Sequence, residues 1–529
     1  MNDKKPDGSI CKEVSRREFM AGAVLVAAAT GTAAADPTQT DPNERPDAAG
    51  DDNPANRPNF LFIMTDDQSW RHVGCYGDKA VRTPLIDALA EKGIRFTNTY
   101  CAAPSCSPSR AAILTGQDIF RLEEGGVLTG FIREKFDVFP LLLEESGYAI
   151  GNTGKPYAPR TKGAPGAHEA PVGKEYNKKT IPAPDGIKPI DYAANFEAFL
   201  DEKPTESPFF FWFGTSEPHL PHAEGRGKDT GISSSAIEVP DFYPDATEIR
   251  DGLSDYLAEI EWADKMVERI VKTLEEKQMI ENTVVVFTSD NGMPFPRAKA
   301  TLYDYGVRMP LIVRWDNHIE PGRVVTDPVS LMDLAPTFLE LSGLPVPSAM
   351  TGRSLKSIFG TTESGRVDRS REFVVTAIEK HVPARPQNLG YPRRALHTEE
   401  WTYIRNYEPS RYPGGHPETI IPDWGNYGDI DPSIIKTFLM ANQNHPDISP
   451  FFELGFGKVP AEELYYKSDD PDMVENLAGD PKHQATLLEF RKKLEDYLTR
   501  NNDPRMKGLS PWDEYNLDKP LPVSQPAEG

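Results

Sequence analysis

Asn59-Phe60-Leu61-Phe62-Ile63-Met64-Thr65-Asp66-Asp67 sets an unbroken run of large apolar side chains directly before two carboxylates. A run apolar on both faces reads as a strand buried on both sides, as in a parallel sheet covered by helices. Thr283-Val284-Val285-Val286-Phe287-Thr288-Ser289 repeats the pattern and again ends in oxygen donors, Asp290-Asn291. Around these two runs, further elements alternate. Residues 83–91 form a helix with proline in its first turn and Gly93 beyond its end. Residues 94–99 are extended, 138–146 helical, 148–152 and 207–214 extended. Ile260, Ala263, Val267, Ile270, Val271 and Leu274 then recur at helical spacing within 256–274. A strand over 310–314 and a helix over 331–341 follow. Such alternation predicts an α/β domain with a wound, mostly parallel sheet flanked by helices, here over 58–371.

From about residue 372 the texture changes. Residues 373–377 and 401–406 read as strands separated by a proline-rich stretch, and 484–499 as an amphipathic helix. This predicts a smaller C-terminal antiparallel sheet with a helix packed on it, within 372–529.

Composition excludes several classes. The chain has 529 residues, 81 acidic against 58 basic side chains and a formal charge of −23, which disfavours nucleic-acid binding. Its 38% apolar content can build a core, and 4 cysteines cannot form a disulfide scaffold. A Cys75–Cys101 bridge is left open by the sequence. The 49 prolines, roughly twice the ordinary share, predict many ordered loops.

The first 35 residues are set apart as an address. Lys4, Lys5 and Lys12 lead into Ser15-Arg16-Arg17-Glu18-Phe19-Met20, then an alanine-rich run ending Thr32-Ala33-Ala34-Ala35. This order matches a twin-arginine export signal, with a run too short to span a bilayer. Residues 36–57 read as a solvated linker. The expectation is a periplasmic or secreted protein that meets the twin-arginine export machinery and keeps no membrane span when mature.

Two segments carry chemistry. Asp66-Asp67 and Asp290-Asn291 stand at the carboxyl ends of two buried strands, where ligands sit in wound sheets. Three carboxylates and an amide oxygen suit a hard divalent cation, calcium or magnesium. Each pair alone is also ordinary turn chemistry. The second segment is Ser105-Cys106-Ser107-Pro108-Ser109-Arg110-Ala111-Ala112-Ile113-Leu114-Thr115-Gly116. Pro108 suits a helix's first turn and Gly116 its end. Cys106 then lies by the helix N-terminus, with Arg110 returning to the same face one turn later. The residues alone allow an activated nucleophile beside an anion site, or an inert buried cysteine.

The C-x-P-S-R run followed by L-T-G resembles the signature of the type I, formylglycine-dependent sulfatases. The resemblance extends from about residue 58 to 500. It implies an alkaline-phosphatase-like fold and oxidation of Cys106 to formylglycine by a separate maturation enzyme. Asp66, Asp67, Asp290 and Asn291, with the side chain at 106, resemble the family's metal set. Lys155 and Lys299 match its sulfate-binding bases, and His219 its active-site histidine. The mechanism that the resemblance implies has one hydroxyl of the hydrated aldehyde attack sulfur while the cation polarises the sulfate. Arg110, Lys155 and Lys299 stabilise the developing charge. His219 gives a proton to the departing atom. Three cationic side chains and a divalent ion against three carboxylates leave the pocket net positive.

The chain departs from the pattern at Tyr157, where the family carries histidine, and a tyrosine is not a protonated imidazole at neutral pH. His222 is the histidine available to compensate. Within the family, Asp290 to Pro296 and Tyr391-Pro392-Arg393-Arg394 resemble heparan N-sulfatases acting on N-sulfoglucosamine. An O-sulfatase on an algal polysaccharide such as ulvan is the alternative, and a phosphomonoesterase or phosphodiesterase the remote one. Glu379, His381, Arg393 and His397 are the expected sugar contacts from the second domain.

Overall fold

The computed structural model describes residues 57–157 and 164–514. The expected export signal, and all but the last residue of the linker, lie outside the described residues. The central strand β1 is Asn59–Thr65. The others of its sheet are β2 Ile94–Tyr100, β3 Ala149–Gly154, β4 Lys174–Glu175, β5 Phe209–Gly214, β6 Thr283–Ser289, β7 Arg308–Arg314, β8 Arg323–Val325 and β9 Val329–Ser330. They are ordered β4-β3-β5-β1-β6-β7-β2-β8, with β9 beside β2. Strand β7 runs antiparallel to both β6 and β2, and the remaining pairs are parallel. The wound, mostly parallel sheet expected from the sequence is therefore present.

The unbroken apolar runs are explained by what covers each face. Phe60, Phe62 and Met64 of β1 point into one core, where Phe62 meets Trp212 edge-on at 4.7 Å and Phe338 at 6.0 Å. Leu61 and Ile63 point the other way, onto Ile86, Leu89, Phe196 and the helix Thr247–Glu276. Alternate residues of one strand thus fill two separate cores, and neither face can be polar.

The second sheet contains β10 Val374–Ile378, β11 Arg393–His397, β12 Trp401–Asn406 and β13 Glu462–Tyr466, all antiparallel. The helix Gln484–Arg500 covers it, laying Leu487, Phe490, Leu494 and Leu498 against Val375, Leu396, Tyr403 and Leu464. The two sheets meet where Ala377 N–H donates to Ala102 O at 2.9 Å. At the same junction the His397 ring stacks on Tyr100 of β2, with centroids 4.5 Å apart.

His397 is fully buried and shares hydrogen bonds with Thr376 Oγ1 at 2.9 Å and Thr402 Oγ1 at 3.1 Å. Burial pushes its pKa down to about 3, against a smaller upward pull from Asp304. The unfolded chain takes up this proton near pH 6.5 while the folded chain does not. Stability is therefore fully present above pH 6.5 and drains away as pH falls toward 3, at about 1.4 kcal/mol per pH unit. Urea unfolding at pH 7 and pH 4.5 should show His397→Gln losing less stability between the two than the parent, by about 2 kcal/mol. Equal losses would refute this origin of the acid sensitivity.

Candidate functional site

The site begins with a register. Thr65 of β1 pairs with Ser289 of β6, so Asp66-Asp67 and Asp290-Asn291 emerge side by side at matching strand ends. Hydrogen bonds lock the two turns together. Asp290 Oδ1 accepts from Asp67 N–H at 3.1 Å and Asn291 N–H at 2.8 Å, and Asn291 Nδ2 donates to Asp67 Oδ1 at 2.6 Å. Asp66, Asp67, Asp290 and Asn291 are all buried.

The helix Cys106–Thr115 is buried along its whole length and ends at Gly116, whose φ of 62° is left-handed. Ser109 Oγ donates to Asp290 O at 2.5 Å, and Arg110 Nε to Asp290 Oδ2 at 2.8 Å. Arg110 also lies 3.5 Å from Asp66 Oδ1 and donates to the carbonyls of Lys155 and Pro156. Cys106 Sγ, at the start of the helix, is 3.9 Å from Asp67 Oδ1.

Lys155 follows β3 through Gly154, where φ is +78° and a Cβ would lie 1.9 Å from Gly214 O. Only glycine lets the chain cross β5 closely enough to deliver this lysine, whose Nζ donates to Asp66 Oδ2. Lys299 Nζ donates to both oxygens of Asp67, at 2.7 and 2.6 Å. His219, on the loop after β5, shares a 2.6 Å hydrogen bond through Nδ1 with Leu220 O and sets Nε2 3.8 Å from Asp67 Oδ2.

Burial alone would raise the Asp66 carboxyl, but Lys155, His219 and Arg110 overcome it and bring the pKa down to about 2. Asp67 is likewise lowered against its burial by Lys299 and His219. Asp290 is raised, because burial and Asp66 outweigh Arg110. Burial pushes the Cys106 thiol well up, beyond what Lys155 and Lys299 offset.

Two buried oxygens of this cluster, Asp66 Oδ1 and Asn291 Oδ1, accept no hydrogen bond. Ligand atoms of Asp66, Asp67 and Cys106 lie within 4.8 Å of one another. An all-oxygen set from Asp66, Asp67, Asp290 and Asn291, with bare acceptors, fits a hard divalent cation.

The structure thus gathers Cys106, Arg110, Lys155, His219, Lys299 and the four oxygen donors at one place. Tyr157 is buried in the core. His222 shares a 2.8 Å hydrogen bond with Pro218 O, and burial pushes its pKa down to about 4. His381 Nδ1 is 2.8 Å from Ser105 Oγ, beside Cys106. Arg393 is buried with its guanidinium 4.4 Å from the Tyr391 ring centroid. Glu379 is held by Arg394 at 2.6 Å and Arg505 at 2.5 Å, and His397 by its two threonines. These last two are spent on internal contacts. Sequence reasoning missed Asp431, whose Oδ2 lies 3.3 Å from Lys299 Nζ. It stands in a proline-rich loop, where no periodicity signals burial.

Residues 58–344 match the Sulfatase family, and residues 297–408 match the C-terminal region of N-sulphoglucosamine sulphohydrolase. An ulvan-active sulfatase of Formosa agariphila is 24% identical over 84% of this chain and 81% of its own length. The human N-sulphoglucosamine sulphohydrolase is 26% identical over 84% of this chain and 91% of its own. A solved structure described as bound to its substrate D-glucosamine-2-N,6-O-disulfate superposes with a TM-score of 0.63 at 20% identity, covering 87% of this chain and all of that one.

Arg110 is the buried counter-charge of Asp290 and Asp66. Arg110→Met should cost about 3–5 kcal/mol, because it strands carboxylates that are already buried. Arg110→Lys should cost less but still register, since a point charge cannot reach Asp290 and two carbonyls together. Urea unfolding of the metal-free protein reads both. A loss under about 1 kcal/mol for Arg110→Met would contradict the assignment.

Proposed function

The chain belongs to the sulfatase family, and on that premise we propose that it removes sulfate from a sulfated glycan through a formylglycine made from Cys106 and a hard divalent cation, calcium or else magnesium. The observation that carries this reading is the placement of Cys106 at the start of a buried helix, one turn from Arg110 and facing Asp66, Asp67 and Asp290. Asp66, Asp67, Asp290 and Asn291 would hold the cation. When bound, the oxidised side chain supplies a hydroxyl nucleophile and the cation Lewis acidity toward the sulfate oxygens.

The chain's own residues then divide the work. Arg110 fixes Asp290 and the backbone at Lys155 and Pro156, so the carboxylate end of the site and the lysine are set by one side chain. Lys155 and Lys299 present ammonium groups where charge builds on the sulfuryl oxygens. Leu220 O can only accept, so Nδ1 of His219 carries the proton in that hydrogen bond. Nε2 is therefore the atom that gains and loses a proton, and it faces the carboxylate cluster. From there it gives a proton to the departing oxygen or nitrogen.

An N-sulfated glucosamine unit is the nearest substrate. The match of 297–408 to the N-sulphoglucosamine sulphohydrolase C-terminal region supports it, as does the human relative's coverage. The ulvan-active relatives favour a second reading, O-sulfatase action on that polysaccharide. The proposal extends to the partners expected above: a maturation enzyme that oxidises Cys106, and twin-arginine export to the periplasm or beyond.

The test is production with a formylglycine-generating enzyme, mass spectrometry of the peptide containing residue 106, and sulfate release from N-sulfoglucosamine, 6-sulfated glucosamine and sulfated rhamnose oligosaccharides. Formylglycine at 106 and release from N-sulfoglucosamine are expected. Cys106→Ala should abolish release, chelation should suppress it until calcium is restored, and His219→Ala should slow it by about 10²–10⁴-fold. Full activity with an unmodified cysteine would refute the mechanism, and release confined to rhamnose would select the second reading.

A further inference from the structure

Asp431 reaches the site from outside the large sheet's strand ends. Its loop is held from several sides. Lys436 Nζ donates to the carbonyls of Trp424 at 3.0 Å, Tyr427 at 3.1 Å and Ile430 at 2.8 Å. Asp429 pairs with Arg385 at 2.7 Å and accepts from Val382 N–H at 3.1 Å, which ties this loop to the one carrying His381. The Asp431 carboxylate is thus delivered by a fixed backbone and is itself 2% exposed.

Its Oδ2 accepts no hydrogen bond, although Lys299 Nζ lies 3.3 Å away. Lys299, whose Nζ donates to both Asp67 oxygens, faces Asp431 as its ion-pair partner. A buried carboxylate oxygen without a donor is costly unless something supplies one. Ligand atoms of Asp67, His219 and Asp431 lie within 4.8 Å of one another, so the Asp431 carboxylate stands beside His219 at the edge of the site. His381 Nε2, on the tethered loop, is also buried without a partner. Asp431 and His381, carried on loops tied together through Asp429 and Val382, thus both stand beside the site, Asp431 next to His219 and His381 next to Ser105.

We propose that Asp431 is a specificity-determining residue: its carboxylate accepts a hydrogen bond from a hydroxyl or amine on the sugar ring beside the departing sulfate. This rests on the sulfatase reading and deepens it. The same negative charge disfavours rings bearing a second sulfate or a carboxylate at that position. The ligand class is a hexose or hexosamine sulfate with a neutral or cationic donor next to the scissile group.

The test uses Asp431→Asn in a Cys106→Ala background that binds without turnover. Calorimetry compares calcium-loaded protein titrated with N-sulfoglucosamine, 6-sulfated glucosamine, a sulfated rhamnose disaccharide and inorganic sulfate. For the sugar bound most tightly by the parent, D431N should weaken binding about 10-fold or more, the usual cost of losing a charged hydrogen bond. Inorganic sulfate, which has no ring donor, should bind unchanged or more tightly. Equal loss for sugar and sulfate would show Asp431 acting only through Lys299 and overturn the proposal, as would undiminished sugar affinity. Asp431→Glu carries the same comparison if D431N does not fold. Failure of the wild type to release sulfate from any of these sugars would instead count against the sulfatase substrate reading, and the binding comparison would still report on Asp431.

Discussion

Three buried carboxylates, Asp66, Asp67 and Asp290, meet at the ends of two adjacent parallel strands, and most of the surrounding structure is a response to that crowding. Like charges cannot share a desolvated space without compensation. Compensation arrives from three separate parts of the chain. Arg110 comes from the buried helix, Lys155 from the end of β3, and Lys299 from the loop between β6 and β7. Each partner is carried by a segment whose own packing fixes it. The pairing Thr65↔Ser289 thus constrains a helix, a strand end and a loop at once.

That arrangement also explains why the nucleophile position lies deep. For Arg110 to reach Asp290 with Nε and the Lys155 and Pro156 carbonyls with Nη1, the helix must lie against the strand ends, and none of its ten residues is left exposed. Cys106 is then placed by the helix start and not by a flexible loop. A buried thiol among carboxylates is a poor thiolate.

Much of this was legible in residue order because the decisive strands are buried on both faces. β1 and β6 show it as unbroken apolar runs, and their terminal Asp and Asn residues could be paired before any contact was known. The direction of β7 was not legible, because an apolar run carries no sign of whether it runs with or against its neighbours. β11 was not expected, because Arg393-Arg394 at its start breaks the apolar alternation that marks a strand. In the fold Arg394 is fully buried between Glu379 and Asp503, at 2.6 and 2.7 Å. That long-range pairing makes Glu379 a structural counter-ion, which its sequence neighbourhood does not reveal. Asp431 escaped for a related reason: its partners Lys299, His219 and Asp67 all lie more than 100 residues away in the chain.

Asp431 also alters the charge balance drawn from sequence. Three cationic side chains, Arg110, Lys155 and Lys299, face four carboxylates once Asp431 joins Asp66, Asp67 and Asp290. The side chains by themselves are then slightly negative, in a chain whose overall charge is −23. Neither long-range steering nor the local side-chain sum draws in an anion. In the proposed sulfatase reading, attraction for sulfate depends on the divalent cation that tips the balance positive. Discrimination among sugars must then come from short-range groups such as Asp431 and His381, which act only after the sulfate has been seated. On that reading affinity and specificity fall to different parts of the fold: the strand ends of the large sheet would hold the anion, and the loops joined to the smaller sheet would read the ring beside it.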